Sequence, residues 1–248
     1  WAMAAAAFGK HIQGFGANNP LVWNSLKQPA KRQRRAVVSE PADALLAEVV
    51  QRVQGVVGGG MKLQLRDGSE KVCSPGEATE VWLTCEDVIT SIVSLSEPGH
   101  ADPVRVVAFA PSETDVHAWG FSCYLVFRRV SAVATRALAY FSTRSRAAAA
   151  SAACANTTSE TPVPASGARH SGVHALEDLL LWMSTYTDLF SNKCCITGTL
   201  LAADLTSQAL LPPLLRPYKL SPEELREAAK YPNKRRAYHL HVAPYTML

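Results

Sequence analysis

Two pairs of residues near the end of the chain carry side chains that commonly bind zinc. Cys194 and Cys195 are adjacent, and His239 and His241 follow later in the sequence. A structural zinc site needs four ligands in a tetrahedron, commonly two from a Cys-x-x-Cys turn and two from a later pair. The histidines share one side of an extended strand, but adjacent cysteines point to opposite faces unless a tight turn intervenes. The pattern predicts a zinc-ribbon-like module that is either intact or degenerate. We favour an apolar core, rather than a bound zinc, as what stabilises this module.

No combination of residues in the sequence predicts catalysis. The glycine-rich run 55–60 lacks the Gly-Lys-Ser/Thr ending of a phosphate-binding loop, and no Gly-x-Ser-x-Gly elbow occurs. Glu223 and Glu224 follow Ser221 and Pro222, where serine caps a helix and acidic residues favour its N-terminus. We therefore expect a protein that is not an enzyme.

The composition is that of a globular protein. Hydrophobic residues make up 48% and charged residues 19% of the 248 residues. No apolar run approaches the roughly 18 residues that cross a bilayer, so no membrane partner is expected. The sequence shows no secretory signal, and the six cysteines have no disulfide-framework spacing, so we expect reduced thiols.

The excess positive charge lies in one short run. Lys31, Arg32, Arg34 and Arg35 account for the whole excess of 25 basic over 21 acidic residues. A nucleic-acid-binding protein usually spreads such an excess over a folded face, so no direct nucleic-acid contact is expected. The run is either a nuclear-import signal or a solvated basic segment, and its composition favours import.

The hydrophobic pattern predicts an α+β fold in residues 42–141, a small antiparallel sheet packed with helices. Apolar residues recur at helical spacing from Leu45 to Val53 and again from Trp119 to Phe141. Between these helices, alternating and β-branched stretches predict strands near residues 61–65, 81–85, 88–93 and 104–109. Short links between strands favour antiparallel pairing.

Three further regions flank this central domain. Residues 1–41 are rich in Ala, Gly, Asn and Pro and predict an extended basic arm. Residues 142–170 shift to Ala, Ser, Thr and Pro and predict a flexible linker. Residues 171–248 predict a small C-terminal module, a helix followed by a knuckle-like turn that bears Cys194.

Several blocks of the sequence resemble one known family. From about residue 80 to the end, the chain is similar to Mediator complex subunit 27 of plants and green algae. The blocks that carry the resemblance are Val81-Trp82-Leu83, Val107-Ala108-Phe109-Ala110-Pro111, Leu210-Leu211-Pro212-Pro213, Arg216-Pro217-Tyr218 and Tyr238-His239. The family pattern also has a Cys-x-x-Cys knuckle and a terminal cysteine. Thr197 stands at the second cysteine here, and Val242 or a neighbour stands at the terminal one.

The resemblance implies a non-catalytic structural subunit of the Mediator tail region, located in the nucleus and coupling transcription activators to RNA polymerase II. It implies contacts with the central scaffold subunit and neighbouring tail subunits, and only indirect contact with the polymerase and activators. The alternative is a zinc-ribbon-type nucleic-acid-binding module. Aromatic and apolar content, rather than a motif, predicts the partner-binding residues, which are Leu21, Trp23, Leu26, Trp182, Tyr186, Phe190, Pro212, Pro213 and Tyr218.

Overall fold

A computed structural model describes residues 42–155 and 167–243. The secondary-structure elements in chain order are α1 (Ala42–Val57), β1 (Lys62–Arg66), β2 (Glu80–Cys85), β3 (Ile89–Leu95), β4 (Pro103–Phe109), α2 (Leu125–Ala155), α3 (Gly167–Ser184), β5 (Ala202–Ala203), β6 (Leu210–Leu211) and α4 (Pro222–Lys230). Single 3-10 turns lie at Gly58–Gly60, Thr185–Asp188 and Pro232–Lys234. The predicted α+β class with an antiparallel sheet is confirmed.

The first four strands form one antiparallel sheet in sequential order. The tight turn between β2 and β3 places Asp87 at a φ of 66°, a left-handed conformation that aspartate tolerates better than most residues. The register aligns Val81 with Val93, and Val93 with Val106, on the face that joins the main core. The other face carries a smaller cluster of Trp82, Ile92, Val107, Phe109 and Ala118.

Helix α2 covers the edge of the sheet at β4. The Ser131 hydroxyl accepts a 2.9 Å hydrogen bond from the backbone N–H of Ala108 and donates to the carbonyl of Phe127. A side chain of the helix therefore satisfies a backbone group of an edge strand that would otherwise be open to another chain.

The predicted helix from Trp119 to Phe141 is placed wrongly at both ends. It begins at Leu125, because residues 119–123 belong to a loop that side-chain hydrogen bonds hold. It continues to Ala155, so the predicted linker is helical over residues 142–155. Alanine is the strongest helix former and adds residues to an existing helix at little cost without needing burial.

The C-terminal elements pack against the central domain instead of forming a separate core. One hydrophobic cluster joins Leu46 of α1, Val81 of β2, Phe141 of α2, Leu180 of α3 and Leu225 of α4. Glu177 of α3 is buried and forms ion pairs with Arg52 and Arg226, at 3.2 and 2.9 Å. Charged groups thus tie α1 and α4 to the same side of α3.

Helix α4 begins as its sequence predicts. The Ser221 hydroxyl accepts from the N–H of Glu224, and the Glu224 carboxylate accepts from the N–H of Ser221. This reciprocal capping box satisfies two backbone donors that a helix start leaves open. None of the helices within residues 42–155 and 167–243 combines the length and apolarity that a bilayer crossing demands.

Candidate functional site

Cys194 begins a tight turn of the kind that presents a metal-binding cysteine. Its N–H donates to the carbonyl of Thr199, and the N–H of Gly198 donates back to the carbonyl of Cys194 at 2.8 Å. Gly198 has a φ of 69°, which glycine adopts without the steric cost of a Cβ. The chain therefore makes a tight turn from Cys194 to Thr199.

The environment of the Cys194 thiol favours its ionised form. Burial raises its pKa, but hydrogen bonds from the Thr197 hydroxyl and from the backbone N–H groups of Thr197, His239 and Ile196 outweigh burial, so that the net pKa lies below the ordinary value. Converging N–H groups stabilise negative charge on sulfur whether or not a metal is bound.

Hydroxyl groups occupy the space in which the family pattern has a second cysteine. The Thr197 and Thr199 hydroxyls lie 2.9 Å apart, and the Thr199 hydroxyl lies 3.4 Å from Nε2 of His239. Cys194 and His239 are thus linked through threonines, which are poor zinc ligands.

The other two candidate ligands are at the surface. Cys195 is exposed, and its N–H donates to the carbonyl of Ala237 at 2.9 Å. The His241 ring is also exposed and stacks on the buried His239 ring, with ring centroids 5.8 Å apart. Within the described ranges, no group of three or more His, Cys, Asp or Glu residues is placed to hold a metal ion. A zinc ribbon is therefore not shown.

The chain itself buries five of the predicted partner-binding residues. They are Trp182, Tyr186, Pro212, Pro213 and Tyr218. The Tyr186 hydroxyl donates a 2.8 Å hydrogen bond to the carbonyl of Leu214, and the Trp182 ring contacts both Tyr186 and Tyr218. Burial raises the pKa of Tyr186. These aromatic rings pack α3 against the segment that follows β6. In this fold they belong to the hydrophobic core and are not accessible to a partner.

Phe190, another of the predicted partner-binding residues, has an exposed side chain. It lies at the end of the turn after α3, and its ring contacts Phe127 edge to face at 6.2 Å. The candidates Leu21, Trp23 and Leu26, and the basic run Lys31, Arg32, Arg34 and Arg35, lie outside the described residues.

Two strongly exposed aromatic residues within the part of the chain that the structure describes were missed by sequence reasoning. Trp119 and Phe121 are 73% and 77% exposed, and the Arg105 guanidinium lies 5.0 and 5.6 Å from their ring centroids. We call this surface, formed by Arg105, Trp119 and Phe121, the aromatic loop surface.

A single carboxylate holds the loop that presents this surface. Glu113 accepts three hydrogen bonds of 2.7 Å, from the N–H of Ala110, the hydroxyl of Ser122 and the N–H of Cys123. Burial raises the pKa of Glu113, but these hydrogen bonds outweigh it and leave the pKa lowered. The loop is also tight at Gly120, where a Cβ would lie 3.1 Å from the His117 ring.

The signal for this surface was present in the sequence but ambiguous. Trp119 and Phe121 fit the apolar spacing of the following helix, but the helix begins only at Leu125, and Glu113 accepts hydrogen bonds from Ser122 and Cys123 before it. Sequence periodicity alone does not report a loop that a side chain a few residues earlier holds.

Comparison with known proteins supports the resemblance described above. The chain is 33% identical over 144 residues to "Mediator of RNA polymerase II transcription subunit 27" of Arabidopsis thaliana. The match covers 57% of this chain and 29% of the Arabidopsis protein, so it spans less than a third of that relative's length. No protein-family model matches the chain.

Proposed function

We propose that this chain is a non-catalytic structural subunit of the Mediator complex. The observation that carries the proposal is the similarity to a Mediator subunit over more than half of the chain. By extension from this relative, the chain acts in RNA polymerase II transcription and is located in the nucleus. Its partners are other Mediator subunits, and it meets polymerase and activators indirectly.

A position in the tail region, next to the central scaffold subunit, is the finer part of the proposal. It rests on the family resemblance of the sequence blocks between residues 80 and 248. The basic run at Lys31, Arg32, Arg34 and Arg35 supplies nuclear import in this proposal.

The aromatic loop surface is the proposed contact with another Mediator subunit. Exposed Trp and Phe side chains beside an arginine have the composition of an interface centre, where Trp and Arg are enriched. Arg105 lies close to both rings, and Glu113 holds the loop through three hydrogen bonds, so the loop backbone needs little ordering on binding.

The C-terminal module serves as part of the fold and needs no zinc in this proposal. The turn at Cys194 is held by backbone hydrogen bonds, and threonine hydroxyls lie between Cys194 and His239. The nucleic-acid-binding alternative gains no support from this arrangement.

Affinity purification of the tagged full chain from nuclear extract tests the proposed role. We expect Mediator subunits among the co-purifying proteins, identified by mass spectrometry. The double substitution Trp119→Ser and Phe121→Ser should reduce their recovery by about tenfold or more, because interface anchors commonly contribute over 1 kcal/mol each.

The matched control is Leu205→Ser, since Leu205 is 75% exposed on a different loop. It should leave recovery unchanged. Circular dichroism of all variants verifies the fold. Absence of Mediator subunits with the wild-type chain contradicts the proposed function, and equal recovery with the double variant contradicts the proposed surface.

A further inference from the structure

The aromatic loop surface contains a cation that the described part of the chain does not neutralise. Arg105 of β4 is partly exposed, and its guanidinium carbon lies 5.0 Å from the centre of the Trp119 ring and 5.6 Å from that of Phe121. Within residues 42–155 and 167–243, its side chain forms no ion pair or hydrogen bond. On helix α2, by contrast, Arg129 and Arg144 each have a carboxylate partner. The charge of Arg105 is therefore available to another molecule.

The terminal nitrogens of Arg105 are accessible to such a molecule. Nε is buried without a hydrogen-bond partner, and it is the only Arg105 nitrogen among the buried, unpartnered atoms of the described residues. The two Nη groups also lack a partner, so they must be in contact with solvent. They carry four of the five N–H bonds of a guanidinium, in the fork that matches the two oxygens of a carboxylate.

The register of the sheet explains why Arg105 has no internal partner. Its cross-strand neighbour on β3 is Ser94, which carries no charge, and the residue paired with Ser94 on β2 is Glu80. The Glu80 carboxylate accepts a 2.8 Å hydrogen bond from Nε1 of Trp82 and forms no ion pair with Arg105. The acid in this row of the sheet is thus engaged elsewhere.

We infer that the aromatic loop surface binds a segment of another Mediator subunit in which one glutamate or aspartate is flanked by large apolar side chains. The carboxylate accepts hydrogen bonds from the Nη groups of Arg105, and the apolar side chains cover the exposed rings of Trp119 and Phe121. Covering these rings removes apolar surface from water, and a charge-assisted pair at their centre fixes the orientation of the segment. Because it specifies the partner for this surface, the inference rests on the proposed function.

The charges near the surface favour a single carboxylate. Asp102, three residues before Arg105, and Asp115, on the loop that carries Trp119, are both exposed. A run of acidic residues would approach these carboxylates and be repelled. Bases of a single-stranded nucleic acid could stack on the two rings, but its phosphates require a groove of positive charge, and these neighbours are acidic.

Nitrogen-15 NMR of the full chain tests the inference with defined peptides. The acidic probe is acetyl-Ser-Leu-Glu-Leu-Phe-Ser-amide, and its matched control replaces the glutamate by glutamine. The indole N–H signal of Trp119, assigned through its loss in Trp119→Phe, reports binding. We expect this signal to shift and saturate with the acidic peptide, which should bind about threefold or more tighter than the glutamine peptide, as a partly exposed ion pair allows.

Substitutions of Arg105 locate the source of that preference. Arg105→Gln should bind the two peptides with equal affinity, whereas Arg105→Lys keeps the positive charge and should retain part of the preference. Arg136→Gln is the matched control, because it removes an exposed arginine about three turns into α2, away from the loop. It should leave the preference unchanged. Circular dichroism verifies that each variant is folded.

Several results would overturn the inference. Equal affinities of the two peptides for the wild-type chain, or a preference that persists in Arg105→Gln, would exclude a carboxylate on Arg105. Tighter binding of acetyl-Ser-Pro-Pro-Leu-Pro-Ser-amide would assign the surface to a proline-rich segment, and tighter binding of an oligothymidylate would assign it to single-stranded nucleic acid. A Trp119 signal that does not saturate with the acidic peptide would show that the surface does not bind it.

This experiment and the affinity purification can fail separately. The peptide measurement uses the purified chain, so it does not depend on which proteins accompany the chain in nuclear extract. Absence of Mediator subunits from the purification contradicts the proposed function even where the acidic peptide binds. Equal peptide affinities contradict the carboxylate partner even where Mediator subunits are recovered.

Discussion

Two regions of this chain carry a tryptophan and a second aromatic residue only a few positions apart, and the protein uses them in opposite ways. Trp182 in the last turn of α3 and Tyr186 in the 3-10 turn that follows are completely buried, whereas Trp119 and Phe121 lie on a loop and are largely exposed. The Trp182 and Tyr186 rings contact each other edge to face, with centroids 5.2 Å apart. On the loop, Arg105 of the sheet lies near both rings. Aromatic content therefore predicts neither a core nor an interface until the backbone that carries it is known.

The strongest test of this comparison is a pair of tryptophan truncations. Trp182→Ala should destabilise the protein by about 3–5 kcal/mol, as large buried side chains generally do, because it leaves a cavity beside Tyr186 and Tyr218. Trp119→Ala should change the free energy of unfolding by about 0.5 kcal/mol or less, as exposed positions do. Urea unfolding followed by circular dichroism measures both values. Similar losses for the two variants would show that the loop tryptophan is part of the core.

A smaller effect is expected from the carboxylate that holds the aromatic loop. Glu113→Gln should cost about 1–3 kcal/mol, because an amide oxygen cannot replace a carboxylate that accepts three hydrogen bonds. The loop should loosen while the helices remain intact, so the near-ultraviolet signal of Trp119 should change more than the far-ultraviolet spectrum. Thr114→Ser, at the next position of the same loop, is the conservative control and should have little effect.

The pH dependence of the same variant provides an internal check. The pKa of Glu113 is lower in the folded protein than its ordinary value of 4.5, so its ionised form stabilises the fold. This stability is fully present above pH 4.5 and is lost as pH falls through the lower folded value. The wild-type protein should therefore lose stability more steeply than Glu113→Gln below pH 4.5, and parallel curves would contradict the assigned hydrogen bonds.

The smallest expected effect concerns His239, which the C-terminal turn buries. Burial lowers the pKa of His239 from 6.5, and the neighbouring His241 also lowers it. Hydrogen bonds with the backbone at Thr199 and Pro212 raise the pKa, but the net change is a decrease. The unfolded chain then binds a proton more readily than the folded protein, so stability falls as pH drops below 6.5. Thermal unfolding between about pH 7 and pH 5 should show a flatter slope for His239→Gln than for the wild type.

The exposed His241 supplies the control for this measurement. His241→Gln should keep most of the wild-type slope, because the His241 ring is at the surface and its removal leaves His239 buried. A slope unchanged by His239→Gln would contradict the burial of a neutral imidazole.

The sheet and the shorter helices could be predicted from sequence because local patterns are sufficient for them. The alternation at Val81 and Leu83 indicates a strand, and the capping residues Ser221 and Glu224 indicate the start of a helix. The observed strand register and capping box agree with these indications. The α2 boundaries could not be predicted in the same way. Glu113 accepts hydrogen bonds from Ser122 and Cys123 in the loop just before the helix, and the extension of the helix to Ala155 runs through alanines that need no burial.

The candidate sites show the same difference between features that local sequence determines and features that tertiary contacts decide. The sequence by itself determined the class of the fold, the turn at Cys194 and the resemblance to a Mediator subunit, because residue type, spacing and local conformation carry each of them. Tertiary structure alone decided that Trp182, Tyr186 and Tyr218 form a core, that Trp119 and Phe121 remain at the surface and that Arg216 is buried beside Asp188. Burial results from contacts between residues far apart in the chain, and no local pattern fixes which aromatic ring or which arginine obtains them.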